Sequence, residues 1–184
     1  MRLYRCLPCD AKAATDAPGG GLFVARDFQG QGRHDNPELY GALYASEESL
    51  SAVAEQLARF RGIDRLEERH LRRRGLPLTL VTLELGDDAI VVDLDSPREL
   101  AAHDLRPSVV ATRNRVVTQP QAAALYRDPS APAGIRWWST LEASWLNLTL
   151  FFERAQESLR VVQVEPLTLE LDATRQAAEF IGLR

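Results

Sequence analysis

Residues 32–57 read GRHDNPELYGALYASEESLSAVAEQL, and they carry a loop, a strand and a helix in succession. The opening GRHDNP is built from turn formers around one arginine, Arg33, because Gly, Asp, Asn and Pro each favour backbone geometries that regular elements avoid. Strand character follows from Leu39 to Ala45. On a pleated strand Tyr44 shares a face with Ala42 and Ser46, while Leu43 and Ala45 point the other way, which predicts a half-buried strand. Beyond it Leu50, Val53, Ala54, Leu57 and Ala58 recur at helical spacing, so the chain turns into an amphipathic helix with Ser46 as its N-cap and Gly62 at its stop. At 100° per residue Glu55 falls on the flank of the apolar stripe, so its carboxylate need not enter the core.

Outward from this unit the remaining segments alternate irregularly. Strands are expected at RLYRCL (2–7), GLFVARDF (21–28), LPLTLVTLEL (76–85), AIVVDL (89–94), GIRWWS (134–139), LNLTLFF (146–152) and VVQVEPLTLEL (161–171). Helices are expected at SPRELAAHDL, with Ser96 as cap and Pro97 first, at TQPQAAALYRD, with Pro120 confining the start to Thr118 or Gln119, and at DATRQAAEFIGL, capped by Asp172. No βαβ rhythm runs through this order. An α+β fold follows, one domain with a mixed or largely antiparallel sheet flanked by helices.

Composition narrows the function classes. The chain has 184 residues, 45% of them apolar and 26% charged, as in ordinary globular domains. No apolar run approaches the ~18 residues that cross a bilayer, and MRLYRCLPCD lacks the apolar core of a signal peptide, so the expectation is a cytoplasmic protein without membrane contact. A net charge of −4 argues against direct nucleic-acid binding, which needs a basic field. The local exception is RLEERHLRRRG (65–75), read as the basic end of a helix capped by Gly75. Cys6 and Cys9 have the spacing of a redox pair or of half a zinc site, but Cys6 follows strand-like sequence instead of opening a helix, and His34, His70 and His103 are scattered without ligand spacing; a structural role is expected.

The chemistry-bearing residues are therefore those of the loop, strand and helix. Arg33 offers a bidentate fork for phosphate, Tyr44 a flat aromatic face and Glu55 a carboxylate, a set suited to an anionic ligand with an aromatic group. Taken singly, the same three residues fit ordinary surface and boundary positions equally well.

The ordered pattern Gly32-Arg33, Asn36-Pro37, ALYAS with Tyr44 and SLSAVAEQL with Glu55 resembles the first half of the RES domain, named for its arginine, glutamate and serine. LPLTLVTLEL, LRPSVVATRNRVVTQPQAAALYRD, AGIRWWST and LNLTLFFERA are similar to the second half, and Ser139 in RWWST matches the family serine. The likeness runs from residue 2 to about 155, with the strand and helix of 161–183 completing one domain over 1–184. Here His34 and Asp35 stand where many family members have an aromatic residue and then asparagine.

The resemblance implies an ADP-ribosyltransferase-like fold and a toxin of a bacterial toxin-antitoxin system, partnered by an Xre-type antitoxin and, as in the family, by a second copy of itself. It implies NAD as substrate and no metal. Arg33 would hold a phosphate, Tyr44 would stack on nicotinamide or its ribose, Glu55 would be the catalytic carboxylate, and Ser139 would hydrogen-bond ribose or carboxamide. Hydrolysis or phosphorolysis of the nicotinamide bond, ADP-ribosylation of a protein, and a catalytically silent module paired with a regulator are the alternatives.

Overall fold

In a computed structural model that describes residues 1–183, β1 (Arg2–Pro8) lies antiparallel to β4 (Leu76–Leu85), with Arg2 opposite Glu84 and Pro8 opposite Leu78. Both strands alternate little, and β4 is buried from Leu78 to Leu83, as expected of a strand covered on both faces. β8 (Leu159–Pro166) pairs with β4 as well. β8 stops short of the strand expected through residue 171, at a proline that cannot donate to a ladder.

The chain forms two compact units that interleave along the sequence. The first comprises Met1, Val24–Ala45 and Leu85–Arg160; the second comprises Arg2–Phe23, Ser46–Glu84 and the chain from Val161 onward. Neither is one continuous stretch, so no cut in the sequence separates them.

In the second unit α1 (Ser49–Leu57) packs on β1 and on α6 (Asp172–Phe180). Val53, Ala54 and Leu57 are fully buried, as their spacing predicts. The helix begins later than expected, with Glu48 in the capping position, because Ser46 remains extended as the last residue of a strand and pairs with Tyr4. Likewise α6 takes Leu171 as cap and Asp172 as its first residue. No strand forms at 21–28; only a 3-10 turn at Arg26–Phe28 appears there. Instead, the carbonyls of Gly21 and Phe23 accept from the Arg5 guanidinium at 2.9 and 3.1 Å.

The basic segment is not a helix. It forms a 3-10 turn at Glu68–Leu71 and then β3 (Arg72–Arg73), which folds back on β4 with Arg73 opposite Leu76. Arg74 and Gly75 make the two-residue turn with φ of +54° and +81°, the pair of positive angles that a twisted hairpin requires. Gly75 thus supplies positive φ to a hairpin, where the sequence suggested a helix cap.

In the first unit the ladder runs β2 (Ala42–Ser46), β7 (Leu146–Phe151), β6 (Gly134–Trp138) and β5 (Val91–Asp93). β6 is antiparallel to β7 and parallel to β5. A parallel neighbour needs a long crossover, and α2 (Pro97–Ala102), α3 (Pro107–Val110) and α4 (Arg115–Tyr126) occupy it. Among the described residues parallel and antiparallel pairing combine, giving the mixed sheet of the expected α+β class.

Two details depart from expectation. The first-unit strand β2 is buried on both faces, with Ala42, Leu43 and Ala45 nearly inaccessible, where a half-buried strand was expected. And α4 runs through Pro120 from Arg115, capped by the Asn114 side chain accepting from Val116 N at 3.1 Å. The cap and the tertiary bonds of Thr118 and Gln119 described below offset the one backbone bond the proline lacks. Among the described residues no helix is long and apolar enough to cross a membrane.

Candidate active site

Asp35 organises the loop that carries Arg33. Its Oδ2 accepts from Gly30 N at 2.7 Å and Gly32 N at 2.6 Å, and its Oδ1 accepts from the Tyr44 hydroxyl at 2.7 Å. The same hydroxyl accepts from His34 N at 2.9 Å. A Cβ on Gly32 would stand 2.4 Å from Asp35 Oδ1 and 2.5 Å from the Tyr44 oxygen, so only glycine fits under this knot. Burial, and then the Asp35 carboxylate, push the Tyr44 phenol well above its ordinary pKa. The hydroxyl therefore stays protonated and tethers the loop to β2. The Tyr44 ring is half-buried.

Arg33 emerges from this knot onto an aromatic seat. Its guanidinium carbon lies 4.6 Å from the centre of the Trp137 ring, and NH1 donates to the carbonyls of Val110 and Thr112 at 2.9 and 2.5 Å. Stacking on an indole suits the delocalised cation, and the two carbonyl bonds orient it. Trp137 is fixed in turn by its Nε1, which donates to Thr149 Oγ1 at 3.0 Å. His34 Nδ1 lies 2.8 Å from the same hydroxyl and its ring meets Trp137 edge-on at 5.1 Å. Having accepted from Trp137, Thr149 has a proton left for Nδ1. Burial, with Arg33 adding to it, lowers the His34 pKa to about 3, so the ring is neutral near pH 7.

The first turn of α4 closes the loop from the other side. Thr118 Oγ1 donates to Arg33 O at 2.6 Å, and Gln119 Nε2 donates to the carbonyls of Gly30 and Gly32 at 3.1 and 2.9 Å. Asn36 Nδ2 reaches Gln119 O at 3.0 Å and the Tyr40 hydroxyl at 2.9 Å.

Ser139 follows β6 two residues after Trp137 and is buried. Its N donates to Trp145 O at 2.8 Å, and its Oγ accepts from Leu141 N at 3.1 Å. Glu55 belongs to the second unit and is exposed on α1, off the buried stripe as its position predicts. Arg33 and Tyr44 thus meet in one hydrogen-bonded loop, and Ser139 adjoins the strand that seats Arg33. Sequence reasoning did not reach Asp35, His34, Thr149 or Gln119, nor the seating role of Trp137. The HDNP turn signal was visible, but the partners of its side chains lie up to 115 positions away.

A model of the RES domain matches residues 2–172. The chain belongs to the RES domain family. Its fold is similar to that in the crystal structure of the M.tuberculosis MbcT-MbcA toxin-antitoxin complex, at 20% sequence identity and a TM-score of 0.62, covering 98% of this chain and 88% of that one. At that identity the likeness is one of fold. No curated protein sequence matches this RES domain.

What this RES domain offers chemically is an oriented cation on an aromatic platform, suited to holding a phosphate. His34 and Asp35 of its loop are both buried and bonded within the site. Among the described residues no group of three or more His, Cys, Asp or Glu side chains is placed to hold a metal. Cys6 and Cys9 are buried free thiols, and burial raises Cys6 to about 12. A thiol so placed is inert.

Proposed function

We propose that this protein is the toxin of a bacterial toxin-antitoxin system and acts by breaking the nicotinamide–ribose bond of NAD. The observation that carries the reading is Arg33, the family arginine, held on Trp137 by neutral carbonyls in a loop tied to Tyr44. Such a guanidinium suits a pyrophosphate. Membership of the RES family and the toxin-antitoxin complex with a similar fold support a polypeptide antitoxin, of Xre type by the family resemblance.

In this reading Arg33 holds the pyrophosphate, the Tyr44 ring lies against nicotinamide or its ribose, and Ser139 hydrogen-bonds ribose or carboxamide. Bond breaking builds positive charge on the ribose, as at an oxocarbenium-like centre, so the Glu55 carboxylate stabilises the transition state more than the ground state. A preorganised group of this kind contributes ~3 kcal/mol, about two orders of magnitude in rate.

The test is to incubate the purified chain with NAD, with and without phosphate, and to identify the products. ADP-ribose means hydrolysis, a phosphorylated ADP-ribose means phosphorolysis, and label on a protein means ADP-ribosyl transfer. Glu55→Gln should lose NAD consumption by about two orders of magnitude with unchanged thermal stability, since the side chain is exposed. If the wild-type chain neither binds nor consumes NAD, the enzyme reading fails and the silent, regulator-paired module takes its place.

A further inference from the structure

The second unit holds a cavity of about 260 Å³ that none of the family residues enters. Leu66, Leu169, Ala178 and Leu183 supply its apolar lining, and Arg65 and Arg175 line it too, the latter paired with Asp172. Glu179 is the one acid in the lining. Thr174, also in the lining, is fully buried, and its hydroxyl has no hydrogen-bond partner. A buried donor left unmade is rare.

The cavity adjoins the most basic stretch of the chain. Residues 59–74 contain seven arginines against three acids, a local +4 in a chain of net −4, so the remainder carries −8. All seven arginines are exposed. Among the described residues Arg69 pairs with Glu67 at 3.2 Å, whereas Arg61, Arg65, Arg73 and Arg74 have no carboxylate within 4 Å. Arg61 and Arg69 are each four residues from Arg65, hence within ~14 Å of it. Arg74 sits at the hairpin tip with φ +54°, an uncommon angle for a side chain-bearing residue. The Arg59 guanidinium is lowered from its ordinary pKa by burial and then by Arg73, a like charge held close.

We infer that this cavity and its flanking arginines dock an acidic, apolar-anchored segment of a partner polypeptide: a large apolar side chain enters beside Leu66 and Leu169, and flanking carboxylates meet Arg61 and Arg65. Size favours an anchoring side chain, because the volume lies below the ~300 Å³ at which sites for whole small molecules begin. Charge favours a short acidic segment over a long nucleic acid, because the −8 carried elsewhere repels an extended polyanion while a local patch accepts a short one. No lining residue is aromatic, so a base has nothing to stack on. The surface stands apart from the NAD reading, since it uses none of Arg33, Tyr44, Glu55 or Ser139.

The experiment measures binding of a short synthetic peptide, one leucine flanked by glutamates, to the full chain by fluorescence anisotropy without NAD. Binding should weaken about tenfold when glutamine replaces the glutamates or alanine the leucine, and by a similar factor in Arg65→Glu, an exposed position that leaves thermal stability and NAD consumption unchanged. No binding to the peptide, equal binding of the glutamine peptide, or indifference to Arg65→Glu overturns the proposal. So does tighter binding of an oligouridylate of equal charge or of phosphatidylserine vesicles, either of which would make the patch a general polyanion surface.

Discussion

The Tyr44 hydroxyl donates to Asp35 Oδ1 at 2.7 Å while Asp35 Oδ2 takes two backbone amides, so one buried carboxylate ties strand β2 to the loop that aims Arg33. Asp35→Ala strands three donors at once. Leaving buried donors unpaired costs about 1–3 kcal/mol each, and relaxation recovers part of it, so the expected loss is about 3 kcal/mol in urea unfolding, with NAD consumption lost as well. Asp35→Asn, which keeps one acceptor oxygen, should fall between. A wild-type urea midpoint in Asp35→Ala would remove the carboxylate from its organising place.

Gly32→Ala tests the same knot from the backbone side. The new methyl would overlap Asp35 and Tyr44, atoms that are themselves hydrogen-bonded, so the loop must shift. The expected signature is a larger loss of NAD consumption than of stability, with Tm lowered by only a few degrees. Equal activity of the two proteins would show that the loop has room the geometry denies.

Thr149→Val removes the hydroxyl that holds both Trp137 and His34 while keeping the volume of the side chain. Two buried groups then lack a partner, and the indole under Arg33 loses its anchor. KM for NAD should rise about tenfold, in line with the ~1–2 kcal/mol of a desolvated cation–π contact, with a smaller change in kcat. Thr149→Ser, which restores the hydroxyl, should recover most of the KM. A variant in which Thr149→Val lowers stability and leaves KM untouched would reduce the network to a packing role.

His34 sets an acid limit. Its folded pKa of about 3 lies below the unfolded value near 6.5, so below pH 6.5 the unfolded chain takes up a proton that the folded chain refuses. Stability from this group is therefore complete above pH 6.5 and is lost as pH falls toward 3, at up to about 1.4 kcal/mol per pH unit. Urea midpoints from pH 7 to pH 4 should fall in the wild type and fall less steeply in His34→Asn. Parallel slopes would show that His34 is not what titrates.

How far the sequence reaches is clear from particular residues. Local patterns carried β1, β4, β6 and β7, the buried face of α1 and the exposure of Glu55, because side-chain spacing and exposure are fixed by elements only a few residues long. The start of α4 was misplaced, since Pro120 argued for a later one and the cap and loop contacts that overrule it come from Asn114 and from residues 30–33. The basic stretch misled in the same way: a positive-φ glycine ends a helix or turns a hairpin, and the pairing of Arg73 with Leu76 decided which.

By itself the sequence determined the mixed strand and helix class and the family, because these rest on order and local periodicity. Only the tertiary structure decided that Asp35, not Arg33, is the hub of the loop, that Trp137 carries the guanidinium, and that Thr149 and His34 fix the indole. Arg33 and Trp137, and His34 and Thr149, lie over a hundred positions apart, and burial gives each bond its weight: water would compete for the same donors in an unfolded chain, and inside the fold it cannot.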